Sequence, residues 1–162
     1  MAGVPVKSME PYLMRLVRAG HKVAVCEQTG DPRTSKGIVD RGIVRVVTAG
    51  TITEEDELDS RASNYLAALL LDSGRAGLAW VDLSTGRAAA CDIPLDRVMD
   101  ELARVAPAEL LVPEDLPRTA PELAEQLQLD LAQRITWREP WRFARETCSR
   151  VLFEQFKVKT LE

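Results

Sequence analysis

The side chains best suited to nucleophilic or metal chemistry in this sequence are three cysteines and one histidine. Cys26, Cys91 and Cys148 lie far apart, no Cys-x-x-Cys pair exists, and His21 stands alone. A zinc site needs about four ligands, usually in closely spaced pairs, so no metal site is predicted. A Cys–His or Ser–His nucleophile would have to use His21, beside Lys22 at an expected helix-to-strand turn, and the motif context for either is missing. Cys26 ends the apolar run Val23–Cys26 and is expected to be a small buried hydrophobe. No residue is assigned a catalytic role.

Basic side chains offer a different chemistry, the neutralisation of phosphate. Over all 162 residues the net charge is −4, which excludes a strongly basic nucleic-acid-binding chain as a description of the whole. The charge is unevenly spread. Residues 1–50 hold eight basic and four acidic groups, a net +4, and the rest hold thirteen and twenty-one, a net −8. A change of sign near residue 50 points to two modules with different partners. The 46% apolar and 28% charged composition is that of an ordinary globular chain. No apolar run reaches the roughly 18 residues that span a bilayer, and no signal peptide opens the chain. A reducing, cytoplasmic location without membrane partners is therefore expected.

The elements that must position these groups follow from periodicity. Ser8 is placed to cap a helix whose apolar face is Tyr12, Leu13, Leu16 and Val17, and Gly20 to end it. Val23–Cys26 reads as a buried strand, residues 29–37 as a polar loop, and Ile43–Val47 as a second strand. An acidic linker is expected over residues 51–60. Beyond it, Tyr65–Leu71, Leu78–Leu83 and Ala88–Ile93 are apolar runs separated by short turns, an antiparallel meander. Helices are predicted from Leu95 to Val105 and from Pro121 to Leu129, with short strands at Leu110–Val112 and Ile135–Trp137. From Trp141, apolar residues recur at helical spacing through Phe156. Three meandering strands followed by alternating helix and strand is the order of an RNase H-like α/β fold, with the later strands parallel. The predicted class is thus α/β: a small mixed α/β N-terminal piece, then an RNase H-like mixed sheet flanked by helices.

Such a sheet does not by itself make a nuclease. RNase H-like nucleases gather several carboxylates around two metal ions, one of them within the first strand, because two-metal chemistry needs its oxygen ligands to converge. Tyr65–Leu71 contains none, Asp72 stands where a turn residue is expected, and Asp82 lies near the next turn. A metal-dependent nuclease working through Asp82, and a free-standing adaptor domain, are the alternative readings.

A series of motifs resembles the MutS family of DNA mismatch-repair proteins. They are Met1–Pro5, Tyr12-Leu13, Gly20–Gln28, Val44–Thr51, Asn64–Ala68, Asp82-Leu-Ser-Thr-Gly86 and Pro107-Ala-Glu-Leu-Leu111. The resemblance covers essentially the whole chain. It implies that residues 1–50 correspond to the second half of the mismatch-recognition domain. Residues 61–162 would be the connector domain, RNase H-like in that family and incomplete here. The family's Phe-x-Glu mismatch reader is absent: Phe143, Phe153 and Phe156 lack a glutamate two residues on. No G-x-x-x-x-G-K-[ST] phosphate loop occurs either. The implied segment is non-enzymatic and holds no cofactor, the ATP and Mg of the family belonging to other domains. Where the family often reads Thr-Pro-Gly-Thr, this chain reads Thr48-Ala49-Gly50-Thr51.

The resemblance also implies partners and contacts. Mismatched double-stranded DNA would be met at its backbone by Lys7, by Arg41 and, more weakly, by Lys36. Such contacts position a protein without reading sequence. For Lys7 a solvated lysine before a helix is the competing reading. The second module would transmit movement between the mismatch reader and the ATPase-driven clamp of a homodimer. It would also dock MutL, with Arg145, Ser149 and Arg150 on the last helix as candidates; a solvated polar face is the alternative there.

Overall fold

In the computed structural model, which describes residues 3–29, 39–52 and 63–160, a helix on a two-stranded hairpin precedes a five-stranded sheet. Helix α1 (Met9–Arg18) ends in a Schellman arrangement. Gly20 donates to Val17 O and His21 to Leu16 O, with Gly20 at φ +84°. Its buried side chains are Leu13, Met14 and Val17, while Tyr12 and Leu16 are exposed. The inward stripe is therefore displaced from the predicted one. Ser8 occupies the N-cap position, but its hydroxyl donates back to Pro5 O at 3.2 Å instead of accepting from the helix.

Strands β1 (Val23–Gln28) and β2 (Arg41–Val47) pair antiparallel, with an irregularity between Val25 and Cys26. Only Val25 of β1 is buried; Cys26 is exposed. The expectation of a buried strand and a buried Cys26 is thus corrected. A strand alternates its side chains between two faces, and α1 covers just one of them. Val25 and Val47 join Leu13, Met14, Val17 and Ile52 in a small core, while Ile43, Val44 and Val46 face outward. Ile52, within the expected linker, is part of this core.

The second module follows the predicted order closely. Strands β3 (Tyr65–Asp72), β4 (Arg75–Asp82) and β5 (Arg87–Pro94) form the meander, and β6 (Glu109–Pro113) and β7 (Ile135–Arg138) add in parallel, giving the order β5-β4-β3-β6-β7. The β3–β4 turn places Ser73 and Gly74 at φ +49° and +81°, the primed geometry that matches strand twist. Helices α2 (Val98–Val105), α3 (Leu116–Thr119) and α4 (Pro121–Leu131) supply Val98, Leu102, Val105, Leu116, Ala124 and Leu127 to one core with Ala67, Leu69, Leu78, Leu110 and Val112. The short α3 was not predicted; four residues are too few to reveal a period.

The opposite sheet face carries Leu66, Ala68 and Leu70 on β3 and Glu109 and Leu111 on β6, by strand alternation. Helix α5 (Arg145–Phe156) and Phe143 border it, leaving a cleft of about 370 Å³ lined by Ala68, Gly77, Ala79 and Cys148. No residue of α5 is buried. Among the described residues no helix is long and apolar enough to cross a membrane.

Candidate DNA-facing residues and a buried polar joint

Lys7 sits in a single 3-10 turn, Val6–Ser8, immediately before α1. Pro5 starts that turn, and its carbonyl accepts the Ser8 N–H at 3.0 Å. The Lys7 side chain is exposed and has no ion-pair partner among the described residues. Arg41 opens β2 opposite Gln28, beside a backbone bond from Thr29 N to Asp40 O of 2.9 Å. It too is exposed and unpaired among the described residues. Arg45, two turns of the pleat further on, is instead drawn to Glu10 of α1 at 3.3 Å. The structure thus puts Lys7 and Arg41 on one module but joins them by no hydrogen bond. Lys36 lies outside the described residues.

On α5, Arg145 and Ser149 share a face at i, i+4 spacing. Arg150 turns to Glu154 at 3.3 Å. Arg145 and Arg150 are exposed and Ser149 half-buried.

The carboxylates of the alternative nuclease reading are occupied and far apart. Asp82 Oδ1 accepts the Ser84 N–H at 3.0 Å and the Ser84 hydroxyl at 2.6 Å. Those bonds hold its carboxyl below the ordinary value of 3.8, the Ser84 hydroxyl contributing most and burial opposing it. Asp82 is the cap of the β4–β5 turn, which Gly86 closes at φ +71°. Asp72 accepts from Ser73 at the other end of the same strand pair. In the β3–β4 register Asp82 faces Tyr65, seven residues from Asp72, which separates the two by roughly 20 Å at 3.3–3.4 Å per residue. They cannot share a metal ion, and no three His, Cys, Asp or Glu side chains gather among the described residues.

A polar cluster does converge, around Glu109 and without either aspartate. Glu109, 4% exposed at the head of β6, faces the turn Ala49–Thr51 across the sheet surface. Its Oε2 accepts a short bond from the Thr48 hydroxyl and one of 3.3 Å from the Gly50 N–H. Its Oε1 accepts the Thr136 hydroxyl of β7 at 2.5 Å. Thr48 and Thr51 form a reciprocal box: Thr48 N–H donates to Thr51 Oγ1 at 2.9 Å, and the two hydroxyls meet at 2.9 Å. The single Thr48 hydroxyl proton is spent on Glu109, so in that second contact Thr51 is the donor, sharing its one proton with Thr48 O at 3.2 Å. Asn64 Nδ2, just ahead of β3, holds Ala49 O at 2.9 Å. One signal existed in the sequence: a lone carboxylate between Pro107-Ala108 and Leu110-Leu111-Val112, where charge is seldom buried without partners.

Comparison with known proteins follows the same division. Residues 1–56 match the family model for MutS domain I, and residues 64–162 match that for MutS domain II. A relative named DNA mismatch repair protein MutS, from Methanothrix thermoacetophila, is 55% identical over 113 residues. That match takes in 70% of this chain and 13% of the relative, so the chain corresponds to a small part of the relative's length.

Proposed function

Since this chain belongs to the MutS family of DNA mismatch-repair proteins, we propose that it is the part of such a protein that steadies mismatched duplex DNA and relays the state of the reader to the rest of the molecule. The observation that carries the DNA reading is the contrast among cations of the first module. Lys7 and Arg41 are exposed and unpaired among the described residues, whereas Arg45 is engaged by Glu10. Exposed cations such as Lys7 and Arg41, on a module of net charge +4, suit phosphate, releasing counterions on contact. Lys7 presents a point charge, not the two-pronged fork of arginine, and holds a phosphate without fixing its orientation. Lys36 joins them as a weaker contact.

The segment performs no chemistry in this reading; the ATP and Mg of the family act elsewhere in the parent homodimer. The second module passes movement on through its sheet and offers α5 to MutL, with Arg145, Ser149 and Arg150 as the polar part of that surface. Exposed Val151, Leu152 and Phe156 beside them support the assignment.

The test is binding of this chain to a mismatched and a fully paired duplex over a salt series. Weak, salt-sensitive and mismatch-blind binding is expected, because no Phe-x-Glu reader is present. Lys7→Ala and Arg41→Ala should each reduce the slope of log K against log salt by roughly 0.9, the value for one phosphate contact. Unchanged slopes in both variants would remove these residues from the interface, and a clear preference for the mismatch would overturn the mismatch-blind reading.

A further inference from the structure

We propose that Glu109 is a positioning residue that fixes the first module on the sheet of the second, acting through Thr48 and Gly50. The idea takes its purpose from the relay reading above, but its geometry stands apart from any DNA contact.

Three family motifs distant in sequence meet at this one point: Thr48–Thr51, Asn64 and Glu109. The buried apolar residues of the two modules form separate cores, although Leu66 of β3 lies close against Gly50. What crosses between them here is a set of hydrogen bonds. Glu109 receives donors from both sides, Thr48 and Gly50 from the first module and Thr136 from the second. A carboxylate suits this place, because its two oxygens accept from several donors at once and offer no competing proton. No lysine or arginine pairs with it among the described residues, so these donors replace its lost hydration.

That dependence makes the joint a fixed seat. Moving the turn away takes two of the three donors from this carboxylate, and water must enter to replace them. Gly50 sets how close the seat is: a Cβ there would lie 2.8 Å from Glu109 Cβ and 3.0 Å from Leu66 Cδ1. Asn64 pins the same turn from the first described residues of the second module.

The chain supplies its own probes. Cys26 on β1 and Cys148 on α5 are exposed thiols, one in each module. With Cys91→Ser as background, spin labels on these two give the intermodule distance distribution by pulsed electron resonance. A single narrow distance is expected in the parent chain. It should persist in Glu109→Gln, whose amide oxygen still accepts from Thr48 and Gly50 while its NH2 donates to the Thr136 hydroxyl. Glu109→Ala and Thr48→Val should at least double its width, and Gly50→Ala should shift or broaden it. If Glu109→Ala fails to fold, Thr48→Val and Gly50→Ala, which leave the sheet intact, decide the matter. A narrow, unshifted distance in both, a broad one in the parent, or Gln behaving like Ala would overturn the proposal. No DNA enters the measurement, so this failure is distinct from failure of the DNA reading.

Discussion

Gly50 and Glu109, 59 residues apart in sequence, approach so closely that a methyl group on residue 50 would stand 2.8 Å from the Glu109 Cβ. The obstructing atom is anchored to backbone, so it cannot swing aside as a side-chain tip would. Gly50→Ala is therefore expected to cost about 1–3 kcal/mol, the range for overpacking. Gly77→Ala is the control: its nearest neighbour to a new Cβ is Leu70 O at 4.0 Å. Urea unfolding of both variants checks the contrast, and equal midpoints would contradict it.

Asp82 ties the stability of the β4–β5 turn to pH. Its carboxyl is held below 3.8 in the folded chain by the Ser84 hydroxyl. A depressed folded value means that the contribution is complete above the unfolded value, near pH 4, and is lost as the pH falls through the folded one. Asp82→Asn should flatten that part of the acid limb and leave the slope near pH 7 unchanged. Thermal melts of parent and variant between pH 2 and 7, in roughly half-unit steps, read this directly. Parallel acid limbs would exclude the role.

The cores predict a sharp contrast between two large apolar residues. Leu69 is 0% exposed and Phe156 is 61% exposed. Leu69→Ala should cost about 2–5 kcal/mol, and Phe156→Ala should stay within about 0.5 kcal/mol. Chemical denaturation separates them; a large loss for Phe156→Ala would mean that α5 packs more tightly than its exposure indicates.

For the proposed MutL surface, the paired reversal Arg145→Glu and Arg150→Glu should weaken capture of MutL and make what remains less salt-dependent. The ion pair of Arg150 with Glu154 is exposed on both sides and contributes little to folding, so stability should change by less than about 1 kcal/mol. Undiminished capture by the reversed protein would move the docking surface elsewhere.

The second module was the more legible half of the sequence. Its strands are apolar runs cut by Asp72-Ser73-Gly74 and Ser84-Thr85-Gly86, and each cut became a hairpin turn. Alternation is harder to see in Val23–Cys26, because four apolar residues in a row conceal which face is inward. The structure resolves this through one-sided cover by α1, which buries Val25 and leaves Cys26 outside. The candidate cations are proposed from charge and resemblance alone, since a phosphate contact asks nothing of neighbouring side chains. The Glu109 joint could not be read that way, because its partners lie at residues 48, 50 and 136 and only the parallel pairing of β3, β6 and β7 assembles them.

That assembly imposes an order in time. Thr48 finds its acceptor 61 residues further along the chain. During synthesis at about 5–20 residues per second, the first module emerges roughly 3–12 s before Glu109 exists. Even then Glu109 is in place only once β6 has paired beside β3, a non-local step that is slow by nature. The first module is therefore made well before its acceptor, and the bonds of Thr48 and Gly50 to Glu109 can close only after β6 has paired.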